Sequence, residues 1–141
     1  MTYDNFTIKA QEAILKSQQL AGGFDQQGVD TVHLIKGIIE TDPKLAEFIF
    51  NKMGINMAIL KRDLNKAIEK YPKVSNIEKQ YLTNDANQSL ARAKKLLKEF
   101  EDEFISLELM LMGIISGKDK GATILKDLGA TEKDMKAAIL E

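Results

Sequence analysis

The chain has no cysteine and no tryptophan, two prolines and a single histidine in 141 residues. Without cysteine there is no disulfide, no thiol nucleophile and no thiolate metal ligand, which suits a reducing compartment. One histidine, His33, excludes a multi-histidine metal centre within one chain. Neither sign of charge is in excess: 20 Lys and Arg face 21 Asp and Glu, a net charge of −1. No surplus of cations is available to displace counterions from phosphates, so nucleic acid is not an expected partner. No apolar run approaches the ~20 residues of a membrane span. The start M-T-Y-D-N-F lacks the basic and apolar regions of a secretory signal. A cytoplasmic protein without a membrane partner is expected. The phosphate loop G-x-x-x-x-G-K-[ST], the fingerprint G-x-G-x-x-G, H-E-x-x-H and G-x-S-x-G are all missing, so neither a nucleotide nor a metal cofactor is expected to act here.

What is present is a soluble, globular composition, 44% hydrophobic and 29% charged, enough for one ordinary core or two small ones fused. The most apolar stretch, Phe104 to Ile115, reads F-I-S-L-E-L-M-L-M-G-I-I and has nine apolar residues in twelve. It leaves no polar stripe wide enough for a surface helix and should be central. Ser106 is placed to cap it and Glu108 to favour its dipole. Val29 to Ile39, V-D-T-V-H-L-I-K-G-I-I, has the same plan, with Asp30 for Ser106 and Gly37 for Gly113; 106 − 30 and 113 − 37 both give 76. The chain is a duplication.

Along the chain, Thr7 opens a helix carrying Ile8, Ala13, Ile14, Leu15 and Leu20, and Gly22-Gly23 are expected to end it in left-handed geometry. Asp30 starts a second helix, Pro43 opens a third that Gly54 stops, and Asn56 caps a fourth. From Tyr71 to Tyr81 no helical period survives, and Pro72 biases Tyr71 away from helix. We read an ordered linker there. The plan then resumes, Thr83 matching Thr7, with the shift falling to 75 at Gly129, and Thr131 caps the last helix. No segment alternates long enough for a strand. The expected fold is all-α, one domain over 1–141 with about eight helices: repeat one at 6–70, linker at 71–82 and repeat two at 83–141, related by a pseudo-twofold axis.

Candidate chemistry is sparse. His33 sits among Val32, Leu34 and Ile35, and a structural ring bonded to backbone or loop is favoured over a catalytic base, which would need a partner. A small helical enzyme using His33 with a carboxylate is the remaining catalytic alternative. The acids Glu99, Glu101, Asp102 and Glu103 read first as a solvated loop offset by Lys94, Lys95 and Lys98, and more sharply as one rim of a groove in which Asp102 and Glu108 hold donors from a bound peptide. Met110 and Met112 read as core filler before adaptable binding surface.

The early T-x-x-A, V-D-T-V-H-L-I-K-G-I-I and K-L-A-E-F-I, repeated once, resemble the Clp amino-terminal domain repeat. The linker Y-P-K-V-S-N and the stretch D-E-F-I-S-L-E are similar to those of its ClpB-type members, the disaggregases. The resemblance implies a non-catalytic domain that captures unfolded or aggregated polypeptide for threading by AAA+ rings, where ATP and magnesium act and where a homohexamer assembles; the isolated domain would be a monomer. It implies a groove rimmed by Thr7, Asp102 and Glu108 over an apolar floor of Leu96 and Leu109, with Arg92 where relatives often have leucine. Its alternative is a ClpA- or ClpC-type domain docking a folded adaptor or a phosphoarginine-tagged protein.

Overall fold

Seven of the eight helices start at a side chain that accepts a bond from a free backbone N–H, and these caps set the layout of the molecule. The computed structural model describes residues 3–77 and 79–141. Its helices are α1 (Ile8–Gly23), α2 (Thr31–Thr41), α3 (Pro43–Lys52), α4 (Met57–Glu69), α5 (Asn84–Lys95), α6 (Leu107–Ile115), α7 (Lys120–Asp127) and α8 (Glu132–Leu140). Thr7 accepts from the Ala10 N–H and, 76 residues on, Thr83 accepts from the Ala86 N–H. Asp42 and Asn56 cap α3 and α4, while Ser106, Asp119 and Thr131 cap α6, α7 and α8. The first four helices and the last four follow one plan.

Two expectations need correction. Gly22 and Gly23 lie inside α1, and the left-handed residue beyond it is Asp25, at φ 58°. Phe24 closes the helix through a bond to the Ala21 carbonyl, so the turn falls two residues past the glycines. Gly54 and Gly129 do hold positive φ, 75° and 108°, which is their use. Second, short strands are present: β1 (Gly28–Val29) pairs in parallel with β2 (Tyr81–Leu82). A strand of two residues shows no period in sequence. An isolated parallel bridge, Phe6 to Ile105, is its counterpart in the other half. The linker is ordered over its described residues: the Val74 N–H donates to the Asp25 carbonyl at 2.8 Å, and its last residues form β2.

Helices α2 and α6 form the centre. Every residue of α6 except Glu108 is buried, Met110 and Met112 included, and α2 buries eight of its eleven residues. At ~1.5–3 kcal/mol for each large apolar side chain, these two helices supply a main part of the hydrophobic stabilisation. α1 packs on α2 and α5 on α6 at glycines. A Cβ on Gly37 would lie 2.6 Å from the Ala13 carbonyl oxygen, and one on Gly113 would lie 2.2 Å from that of Ser89. The backbones touch there, so larger residues are excluded.

Candidate functional site

The bridge between Phe6 and Ile105 brings the start of α1 beside the loop leading into α6. The Thr7 N–H donates to the Ile105 carbonyl at 2.9 Å and the Ile105 N–H to the Asn5 carbonyl at 2.8 Å. Three helix N-termini, those of α1, α3 and α6, consequently meet around one open recess of about 460 Å³, lined by Thr7, Ile8, Lys9, Asp42, Leu45, Ser106, Leu107 and Glu108. Ile8 is 76% exposed there, beside half-buried Leu45. Lys9 Nζ meets Asp42 Oδ2 at 2.8 Å. That bond holds the Asp42 carboxyl below its usual range and the Lys9 ammonium above its own. Glu108, in the first turn of α6, has no ion-pair partner among the described residues. An apolar surface beside a free carboxylate can take an aliphatic side chain and a neighbouring cation or N–H donor.

Thr7 and Glu108 share the recess. Asp102 is exposed on the adjoining loop, three residues before Ile105. Leu96, the C-cap residue of α5, is half-buried against the core. Two expected residues lie elsewhere. Leu109 is 1% exposed, sealed beneath the start of α6, so its side chain cannot floor an open groove. Arg92 points to the other side, its Nε donating to the Gly113 carbonyl at 2.8 Å and its side chain lining a recess with Asp85, Gln88 and Asp119. Glu99 pairs with Lys136 at 3.6 Å, not with the lysines of α5. The residue missed from sequence is Ile8. Its signal was available: α1 buries Ala10, Ala13, Ile14, Ser17 and Ala21, a helical stripe that leaves Ile8 and Leu15, seven apart, on the outer face.

On the opposite side, the N-termini of α2, α5 and α7 meet in the same way, and here hydrogen bonds cross the junction beside the recess of about 490 Å³ that Asp85, Arg92 and Asp119 line. Oxygens of Asp30, Asp85 and Asp119 lie within 4.8 Å of one another, the only such group with metal-ligand spacing among the described residues. Asp30 accepts the hydroxyls of Thr83 at 2.7 Å and Tyr71 at 2.6 Å, and Asp119 accepts that of Thr31 at 2.6 Å. Helix N-termini and hydroxyl donors together account for the acids. Burial, and after it the bonded Asp30 carboxylate, push the Tyr71 phenol far up. Behind Asp30, His33 is fully buried: Nδ1 accepts the Asp30 N–H at 2.9 Å, which places the proton on Nε2, 2.7 Å from Gln26 Oε1. Burial lowers its pKa to about 4, against a smaller upward pull from Asp30 and with a smaller downward push from Lys36. The ring has a structural place and no open face for substrate.

The Clp repeat (R) N-terminal domain family matches residues 5–128. The chaperone protein ClpB of Bacteroides thetaiotaomicron is 39% identical over 141 residues, all of this chain, and that of Porphyromonas gingivalis is 36% identical over 141. This chain spans 16% of the length of each. Among solved structures, the Hsp104 N-terminal domain from Candida albicans superposes with a TM-score of 0.84 at 19% identity, covering 98% of this chain and 91% of that one. The ClpD N-terminal domain from Arabidopsis thaliana gives 0.72 at 24%, covering 99% and 95%. No helix is long and apolar enough to cross a membrane among the described residues. Two copies of a capped four-helix unit, and similarity to ClpB sequences along the whole of this chain, lead to one conclusion: this chain belongs to the Clp repeat N-terminal domain family.

Proposed function

We propose that this domain captures unfolded or aggregated polypeptide and passes it to the AAA+ rings of the parent protein, itself performing no catalysis and binding no cofactor. ATP and magnesium belong to those rings, and the cytoplasm is the setting. One observation carries the reading: the open recess in which exposed Ile8 and half-buried Leu45 lie between Thr7 and the unpaired Glu108. Two or three client side chains half-buried there contribute roughly 2–5 kcal/mol before ordering costs. Weak binding follows, which lets a client leave for the pore, and several copies on one ring restore avidity. His33, buried with both ring nitrogens bonded, argues against a catalytic role.

The test is an NMR titration of the isotope-labelled domain with a permanently unfolded protein. Shifts should cluster at Thr7, Ile8, Leu45, Ser106 and Glu108, and Ile8→Ser should weaken binding about five- to tenfold, the effect of losing one partly buried aliphatic contact. Binding confined to a folded adaptor, with no response to unfolded chains, would replace this reading with adaptor docking.

A further inference from the structure

The loop carrying Asp102 has a twin in the first half, and the twin is occupied by the chain's own linker. Residues 25–30 and 101–106 share one backbone course. Asp25 and Glu101 both adopt positive φ, 58° and 56°. Their N–H groups donate to the Gly22 and Lys98 carbonyls at 3.0 and 3.2 Å, and the following N–H groups, of Gln26 and Asp102, donate to the Ala21 and Leu97 carbonyls at 2.9 Å each. Each loop ends in a parallel pairing, Val29 with Leu82 and Ile105 with Phe6.

Against the first loop the segment Tyr71-Pro72-Lys73-Val74 is bonded at both ends. Val74 donates its N–H to the Asp25 carbonyl at 2.8 Å, and the Tyr71 hydroxyl bonds Asp30 at 2.6 Å. Pro72 and Val74 line a recess of about 180 Å³ with Gln26, Gly28 and Thr83. Against the second loop, no donor among the described residues reaches the Glu101 carbonyl. The lining has also changed. Where the first loop has Gly28, the second has Phe104, 50% exposed. Where the first has Asp25-Gln26-Gln27, the second has Glu101-Asp102-Glu103, all exposed.

We propose that the linker's course along the first loop is the template for client binding along the second. An extended client segment lies beside Glu101–Ser106 and donates one backbone N–H to the Glu101 carbonyl. An apolar residue of the segment rests on Phe104, and a Lys or Arg next to it faces Glu101, Asp102 and Glu103. This rests on the reading of the domain as a polypeptide-binding module and adds the chemistry of the segment taken: extended, apolar and cationic. The main-chain bond is indifferent to sequence, and the acids set the preference for cations.

The probe is the heptapeptide Lys-Tyr-Pro-Lys-Val-Ser-Asn, which copies residues 70–76, titrated into the labelled 141-residue domain and followed by NMR. Shifts are expected at Asn5–Thr7 and Glu101–Ser106. N-methylation of the peptide valine should weaken binding about fivefold by removing one hydrogen-bond donor. Exchanging its lysines for glutamate should abolish binding at low salt, where charge effects are largest. An N-methylated peptide that binds as well as the parent, or shifts confined to another face, overturns the proposal. If an unfolded protein moves Thr7, Ile8 and Glu108 while the heptapeptide leaves Glu101–Ser106 unmoved, this inference falls and the broader reading stands. If neither ligand moves any of these residues, both fall.

Discussion

Where the first copy has Gln26, Asp30 and His33, the second has Asp102, Ser106 and Leu109. In the first copy His33 offers a ring nitrogen to Gln26, and the Ile68 carbonyl accepts from the same amide at 2.6 Å, so residue 26 turns inward and is buried. Leu109 offers no polar partner, so the carboxylate at residue 102 stays in water. Asp30 gathers hydroxyls from Thr83 and Tyr71 and ties the linker and α5 to α2. Ser106 in its place caps its own helix through the Leu109 N–H. Duplicated backbone therefore gives one junction crossed by a polar network and one without it. The difference follows from a few side chains, since a buried polar group must find its partners and an exposed one need not.

The comparison can be broken first at what the copies share. Gly37→Ala and Gly113→Ala each press a methyl into backbone of the packed helix, and each should cost about 3 kcal/mol in urea denaturation. Similar losses from both would show that the two crossings carry similar strain. Next, Asp30→Ser gives the first junction the residue of the second. It strands the Tyr71 and Thr83 hydroxyls while relieving repulsion with Asp85 and Asp119, and the net loss should be about 2 kcal/mol. A linker released by that change would show faster amide exchange at Val74, whereas Ser106→Ala should leave Val74 protected.

The smallest effect is a pH dependence confined to the first copy. His33 titrates near 4 when folded and near 6.5 in the unfolded chain. With the folded value the lower one, the unfolded state binds the proton first as pH drops through 6.5. Stability is full above that point and declines down to about 4, where the folded state protonates too. Between pH 7 and 5.5 the loss should be about 1 kcal/mol. His33→Leu, the residue of the second copy, should flatten that slope even though it lowers stability at pH 7. An unchanged slope in the variant would show that other groups set it.

Much of the fold was legible. Thr7, Asn56, Thr83, Ser106 and Thr131 cap helices where their side chains allow, and Gly54 and Gly129 stop them, because capping and left-handed turns depend on neighbours a few residues away. The end of α1 was misread because two glycines in a helix look like a stop, while the left-handed residue is an aspartate. The pairings of Val29 with Leu82 and Phe6 with Ile105 were illegible, being too short for any period and made between distant segments. Of the candidate site, Thr7 and Glu108 do share a recess. Leu109 was placed wrongly because a leucine in the first turn of a helix can face core or solvent, and the pattern of so apolar a helix does not say which. Arg92 was placed in the floor for want of any sign of its bond to the Gly113 carbonyl.

By itself the sequence determined about eight helices, most of their starts and the duplication, all of which rest on local spacing and composition. Tertiary structure alone decided which junction between the copies is tied by hydrogen bonds. That choice is made by bonds from Tyr71 and Thr83 to Asp30 and from Thr31 to Asp119, between residues 41, 53 and 88 apart in the chain. No local pattern encodes such bonds, because they exist only when packing has brought donors from distant segments to carboxylates partly withdrawn from water.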